Sequence, residues 1–415
     1  LVNWVGQDYF SPQAFNLLLL LAVLAVLLTW FRRSGSAGST GGGTSSARLR
    51  LRSLLAAILV DPAGSIEAVR AGRSISVRQQ IGLIAIVAAM FGTSVASHQL
   101  TPFALVGGVI GLTIFNRIRL TGLAMFMVVL LSLWLMFMAT TFLSGHLASL
   151  LEQIFRPENI DSTLARLVGS RGHLFVLQAR LVLTLGVWVL ALIGGLRRLR
   201  SGQLDLTLAV LAIAPFGLIL LQAYGGEMLL RVYLFSGPFM AFFAAAAFFP
   251  TMRPGTWRTF GALGLLSITL ASVMLLTRYG NEKADYVTAA EYRVMQYVAS
   301  VAQPGDTIGS ANHSVPLGYI EWEQHRHVAL DSEWRFGDMD LVVLELTRRT
   351  PEANDSYLII TRGQRAYAEL FWNMSDARWD HRVQAMAQRA ELLFANADGA
   401  VYRVPPPAEP AEPDR

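Results

Sequence analysis

The chain predicts an α-helical polytopic membrane protein of about eight transmembrane helices, followed by a C-terminal extracytoplasmic α/β domain. Three observations lead there. Of its 415 residues, 53% are hydrophobic and only 15% charged, with a mean hydropathy of +0.44; a soluble domain carries about a quarter charged. The apolar residues fall into runs long enough to cross a bilayer. Arginines gather in the segments between alternate runs, the pattern of cytoplasmic loops.

Residues 1–13 are polar and aromatic and form an outer-face loop. The first apolar run is Ala14–Phe31, near the length of the hydrocarbon core. Arg32 and Arg33 follow, then a flexible Gly/Ser/Thr stretch to Ser46, then Arg48, Arg50 and Arg52. Leu54–Val60 is too short to span and Asp61-Pro62-Ala63-Gly64 breaks it, so 32–80 reads as a cytoplasmic linker with surface helices. Further spans are expected at Ile81–Ser97, Phe103–Phe115, Thr121–Leu143, Leu174–Leu196, Leu204–Ala223, Val232–Phe249 and Thr259–Thr277. The loops at 32–52, 117–119, 197–200 and 253–258 then share the cytoplasmic side, and all are rich in arginine. The membrane domain is 14–277.

From Arg278 the pattern changes to that of a small α/β domain over 278–404. Helical spacing covers Ala289–Ala302, Asp338–Arg349, Gln364–Asn373 and Trp379–Arg389. Strands are expected at Thr307–Gly309, Val328–Leu330, Ser356–Thr361, Glu391–Phe394 and Ala400–Val404, the last two around an Asp398-Gly399 turn. The Pro/Glu-rich tail 405–415 reads as disordered.

Composition removes several function classes. There is no cysteine, so no disulfide, thiolate nucleophile or thiolate metal site. The net charge of +5 is almost all arginine, Lys283 being the one lysine. Cytoplasmic loops account for it better than nucleic acid does, and the arginine bias suggests a GC-rich bacterial genome. No P-loop, zinc motif or nucleophile elbow occurs. The chain begins at Leu1 without a signal peptide and is read as the C-terminal part of a longer protein.

The chemistry-bearing residues gather on the outer side. Asp8 stands just before the first span, flanked by Trp4, Gln7, Tyr9 and Gln13. A partly desolvated carboxylate there suits a general base, with Trp4 and Tyr9 as candidate substrate-contacting aromatics. The plainer reading makes Trp4, Tyr9 and Phe10 interfacial anchors and leaves Asp8 in water. His98 and Gln99 form a Pro-terminated turn between two spans; His98 reads either as a catalyst or as a hydrogen-bonded turn residue. Arg180 lies about six residues, roughly 9 Å, inside its span. An intramembrane arginine calls for an anion, unless it snorkels or pairs with Glu227 or Asp161. Glu227 and Arg231 have the i,i+4 spacing of a helical ion pair. Arg180 and Arg231 are candidate phosphate partners.

Three stretches carry a family resemblance: Gln7-Asp8-Tyr9-Phe10-Ser11-Pro12-Gln13, Ser97-His98-Gln99-Leu100-Thr101-Pro102, and Glu227 with Arg231-Val232-Tyr233-Leu234-Phe235. Together they resemble bacterial multi-span proteins of the GT-C glycosyltransferase superfamily. The resemblance implies a membrane enzyme that moves a sugar from a polyprenyl-phosphate carrier to an extracytoplasmic acceptor, using an acidic base and basic phosphate ligands. The usual acidic motif of that superfamily lies in the first outer loop, which would fall upstream of Leu1, so Asp8 would be the base or a second-shell or acceptor-side residue. No organic cofactor is implied, and a divalent metal ion is left open. Two other classes compete. A lipid or polysaccharide flippase would place charges or broken helices at mid-membrane, whereas spans one, two, four and eight carry no charge. A non-catalytic scaffold with a glycan-binding outer domain is the third.

Overall fold

The computed structural model describes residues 11–33, 75–140, 168–221, 227–251, 255–315, 322–350 and 354–405. It forms two compact units, one from residues up to Arg166 and from Arg180 to Met274, the other from Leu167–Ala179 and Leu275–Arg415.

The first unit is helical. Helix α1 (Pro12–Trp30) starts with Pro12 in its first turn, and the Ser11 hydroxyl accepts the Ala14 N–H at 3.0 Å. Helix α2 (Val77–Ser97) opens on a reciprocal Ser76/Gln79 capping box. Then come α3 (Thr101–Ile114), α4 (Leu123–Phe137), α5 (Arg171–Arg200), α6 (Leu206–Ile213) running into a 3₁₀ segment Ala214–Leu220, α7 (Met228–Ala246) and α8 (Trp257–Tyr279). Residues 171–179 of α5 belong to the second unit.

Five of these helices, α1, α2, α5, α7 and α8, are long and apolar enough to cross a membrane. Thr101–Ile114, Leu123–Phe137 and Leu206–Leu220 are apolar but shorter. Among the described residues, five full-length helices therefore stand where eight spans were expected. The reasons are local. The 14 residues of α3 rise roughly 21 Å against a core of about 30 Å. Its run stops at Asn116, which adopts a left-handed φ of 59°. Pro215 supplies no N–H, and the chain tightens there from α6 into the 3₁₀ segment.

The core of this unit joins Leu20, Leu24 and Leu27 of α1 to Phe91, Leu105, Leu112, Met127 and Phe235. Around it, large apolar side chains face outward, among them Ile86, Met136, Val182, Leu192 and Ile268. That inversion suits a lipid surround. Helices α5 and α7 meet at Gly194, where any Cβ would overlap the Phe243 carbonyl oxygen.

Arginines of the expected cytoplasmic loops stand at the C-terminal ends of α1 and α5. Arg33 N–H donates to the Arg117 carbonyl at 3.0 Å and Arg119 N–H to that of Phe31 at 2.8 Å. Arg197 donates to the Ala247 carbonyl at 2.6 Å. Arg198 forms a two-point ion pair with Asp205, both side chains 4% exposed.

The second unit contains a mixed sheet of strands β1 (Thr307–Ser310), β2 (Arg326–Ala329), β3 (Ser356–Thr361), β4 (Glu391–Asn396) and β5 (Gly399–Arg403), in the order β2-β1-β3-β5-β4. The first three are mutually parallel, and β5 runs antiparallel to both β3 and β4. Helix α9 (Glu282–Asp285) leads in. Helix α10 (Ala289–Val301) packs Val294, Met295 and Val298 against Ile308, Tyr357 and Ile359 on one face. The other face packs Leu358 and Ile360 with Trp334 of α11 (Asp331–Phe336), Val342 of α12 (Met339–Arg348), Ala368 of α13 (Arg362–Trp372) and Trp379 of α14 (Asp376–Ala387). Buried side chains tie the layers. Glu291 completes the Thr288 capping box, accepts the Gly363 N–H at 2.6 Å and meets Arg362 at 3.3 Å. Asp306 accepts N–H bonds from Gln303 and Asp355 at 2.7 and 3.0 Å. Gln364 accepts the Ala311 N–H at 3.1 Å, and Asn312 donates to its carbonyl at 2.9 Å. The surface helices expected at 52–80 and the disordered tail fall largely outside the described residues.

Candidate functional site

A polar cluster occupies the end of the helical unit opposite the arginines. Three elements build it: the first turns of α1, the α2–α3 turn, and the first turn of α7. Pro12 and Ser11 fix where α1 begins, and so place Gln13 and Asn16 on its buried side, 5% and 0% exposed. Arg231 of α7 reaches across to Gln13, its Nη1 donating to Oε1. Its Nη2 donates to Glu227 Oε2 at 2.9 Å, the i,i+4 pair that the spacing predicts. The Arg231 side chain is 16% exposed, so the guanidinium is withdrawn from bulk solvent and oriented by two oxygens.

Asn16 ties α1 to α2. Its Nδ2 donates to the Pro12 carbonyl at 2.8 Å and to Ser97 Oγ at 2.9 Å, while Ser97 donates to the Thr93 carbonyl at 2.6 Å. His98 then ends α2. Its Nδ1 accepts the Thr101 N–H at 3.2 Å and lies 2.9 Å from the Thr101 hydroxyl, capping α3. With Nδ1 engaged as acceptor, the neutral ring carries its proton on Nε2. Burial first, and the charge of Arg231 second, push the imidazole pKa down to about 4. His98 is thus a neutral hydrogen-bond donor beside a fixed cation. Gln13 Nε2, Asn16 Oδ1 and Ser94 Oγ are buried without a hydrogen-bond partner among the described residues.

An apolar crevice continues the cluster inward. Leu20 and Leu24 line it, one and two turns beyond Asn16, with Ala104, Leu105 and Phe235, the last one turn beyond Arg231. The crevice holds only about 10 Å³, about the room of one water, so it marks a packed apolar wall behind the cluster and not a space for an acyl chain.

Of the residues singled out in the sequence, Gln13, His98, Glu227 and Arg231 come together here. Gln99 is exposed beside His98. Arg180 is half-buried on α5, one turn before Leu183, which packs with Leu230 and Tyr233 of α7. Those two lie about 100–160° round α7 from Arg231, so α5 approaches a different face of α7. Asp8, Trp4, Gln7 and Tyr9 lie outside the described residues. Asn16 and Ser94 were not singled out in the sequence; an amide and a hydroxyl inside otherwise apolar runs were the available signal. Among the described residues no group of three or more histidine or acidic side chains is placed to hold a metal ion. No protein-family model, curated protein or solved structure matches the chain.

Proposed function

We propose that this chain is a multi-pass plasma-membrane glycosyltransferase of GT-C type, moving a sugar from a polyprenyl-phosphate carrier to an extracytoplasmic acceptor of the cell envelope. The observation that carries this reading is Arg231: a cation largely buried beside an apolar crevice, held by Gln13 and Glu227 and flanked by the neutral donor His98. A lipid phosphate would add a second anion to a guanidinium already paired with Glu227, with Gln13 and His98 as further donors. The arginine-rich opposite end supports placing the cluster on the outer side, with about eight passes and the sheet-bearing unit outside.

In this reading the acceptor hydroxyl oxygen attacks the anomeric carbon, and the bond from that carbon to the phosphate oxygen breaks. The electron pair leaves with the phosphate, whose developing charge Arg231, Gln13 Nε2–H and His98 Nε2–H receive. A carboxylate takes the hydroxyl proton; Asp8 is the proposed base.

The test is transfer from a radiolabelled polyprenyl-phosphate sugar by the full chain in nanodiscs. Arg231→Ala is expected to weaken donor binding by ~10-fold or more, and Asp8→Asn to cut turnover with donor affinity kept. Transfer at the wild-type rate by Arg231→Ala would sink the proposal.

The break from α6 into the 3₁₀ segment at Pro215 favours a flippase as second reading, because transporters interrupt helices at their sites. Its surroundings, Leu211, Ala214 and Phe239, are apolar and offer an ion no ligand. Scrambling of a labelled carrier lipid in proteoliposomes, without sugar transfer, would select that reading.

A further inference from the structure

The sheet-bearing unit has its own concentration of charge. An open concavity of about 550 Å³ is lined by Arg326, His327, Val328, Arg348, Arg349 and Thr350. Arg326 begins β2, an edge strand of the sheet. Arg348 ends α12 and Arg349 caps it. Glu345 is the carboxylate nearby, and it is shared: Arg348 meets it at 2.9 Å and Arg349 donates to it at 2.7 Å. Arg326 makes one long bond, 3.4 Å, to the Arg349 carbonyl, and meets no carboxylate among the described residues. Among the described residues, three guanidiniums line the concavity with Glu345 as the carboxylate that pairs with two of them.

Each arginine has a local explanation. A charge on an edge strand discourages strand addition, and basic residues suit a helix C-terminus. Neither explanation requires them to converge on one concave surface. Arg348 and Arg349 are 68% and 53% exposed, so water screens much of their mutual repulsion, and a multivalent anion between them and Arg326 would lower it further. The concavity is within the range of small-ligand sites and larger than one tetrahedral anion needs. Guanidinium forks match phosphate oxygens two at a time. The Thr350 hydroxyl is committed to the Leu346 carbonyl at 3.0 Å and to Ser356 at 2.7 Å, so charge rather than hydroxyl recognition dominates.

We infer that this concavity is a binding site for a multivalent oxyanion of the phosphate class, such as a pyrophosphate or a closely spaced pair of phosphodiesters. It is separate from the Arg231 cluster and does not rest on the glycosyl-transfer reading. Such chemistry reaches the protein either as a soluble phosphorylated chain or as a lipid headgroup.

The full chain in phosphatidylcholine nanodiscs, titrated with inorganic pyrophosphate by calorimetry, tests it. Saturable binding that weakens with added salt is expected. Arg326→Ala should weaken it by ~10-fold or more, and Arg326→Lys by less, because charge is kept and the fork lost. Arg365, which pairs with Asp376 at 2.8 Å and Asp380 at 2.9 Å on another helix, gives the control: Arg365→Ala should leave binding unchanged. Unchanged melting of Arg326→Ala guards against a folding artefact. A second set of nanodiscs containing phosphatidylglycerol separates the sources: competition with pyrophosphate assigns the site to lipid headgroups, and its absence to a soluble anion. No saturable binding by the wild type, or equal binding by Arg326→Ala and Arg365→Ala, overturns the inference.

Discussion

Replacing Gln13 by Leu removes the acceptor from one arm of a guanidinium that the fold has already withdrawn from water, and keeps the volume. The Arg231 side chain is 16% exposed and Gln13 is 5% exposed. A hydrogen bond to a charged group contributes about 1.5–3 kcal/mol, so the coupling between Gln13 and Arg231 should fall in that range. Glu227 offers a comparison on the same guanidinium. Its side chain is 35% exposed and sits at i,i+4, where such pairs contribute about 0.3–1 kcal/mol. The neutral partner should therefore couple to Arg231 more strongly than the charged one, because burial outweighs formal charge. Two double-mutant cycles, Gln13→Leu with Arg231→Met and Glu227→Gln with Arg231→Met, measure this by reversible unfolding in mixed micelles followed by tryptophan fluorescence. The cycles cancel whatever else Arg231 touches. A Gln13 coupling no larger than the Glu227 coupling would refute the claim that the cluster is dry.

Further expectations concern other parts of the molecule. The His98 pKa, lowered to about 4 from 6.5, means the folded state resists a proton that the unfolded chain accepts; stability should fall as pH drops from about 6.5 towards 4 and level off below. His98→Gln should flatten that slope, and an unchanged slope in the variant would count against the burial of the ring. Glu291→Ala leaves Arg362 and the Gly363 N–H without their carboxylate, and should destabilise the sheet-bearing unit by about 3–5 kcal/mol, read as loss of amide-exchange protection in β3. Gly194→Ala forces α5 from α7 at the Phe243 carbonyl and should cost about 1–3 kcal/mol; melting in detergent checks it. Because the chain has no cysteine, a single cysteine at Ser201 reports sidedness directly. It should stay unlabelled by an impermeant maleimide in intact cells, and labelling would reverse the topology.

The strands of the second unit were readable because each announces itself locally. Ser356–Thr361 holds the apolar run Tyr357–Ile360, and all six of its residues are buried. The Asp398-Gly399 turn marked the β4–β5 hairpin. Apolar runs likewise located the helices, and Glu227–Arg231 was legible from spacing. What escaped depends on long-range partners. Nothing near Gln13 or Arg231 reveals that residues 218 apart in sequence share a hydrogen bond. The shortness of Thr101–Ile114 and the tightening at Pro215 depend on backbone detail that hydropathy averages away. His98 illustrates the limit most clearly. Its residue type admits both a catalyst and a turn residue, and only the Thr101 contact fixes which nitrogen is available.

The ties of Asp306 and Gln364 bear on how the sheet assembles. Strand β1 has four residues and pairs with β3 in one parallel register, Thr307 opposite Ser356. So short a strand has little of its own to choose an alignment, and a slip of one position would turn Ile308 away from α10. Asp306 secures the amino-terminal edge of that pairing through the Asp355 N–H, and Gln364 the carboxyl-terminal edge through Ala311 and Asn312. A slipped pairing would strand these polar groups at both edges together, under a closed core. A slipped register is thereby disfavoured relative to the native one at both ends of β1.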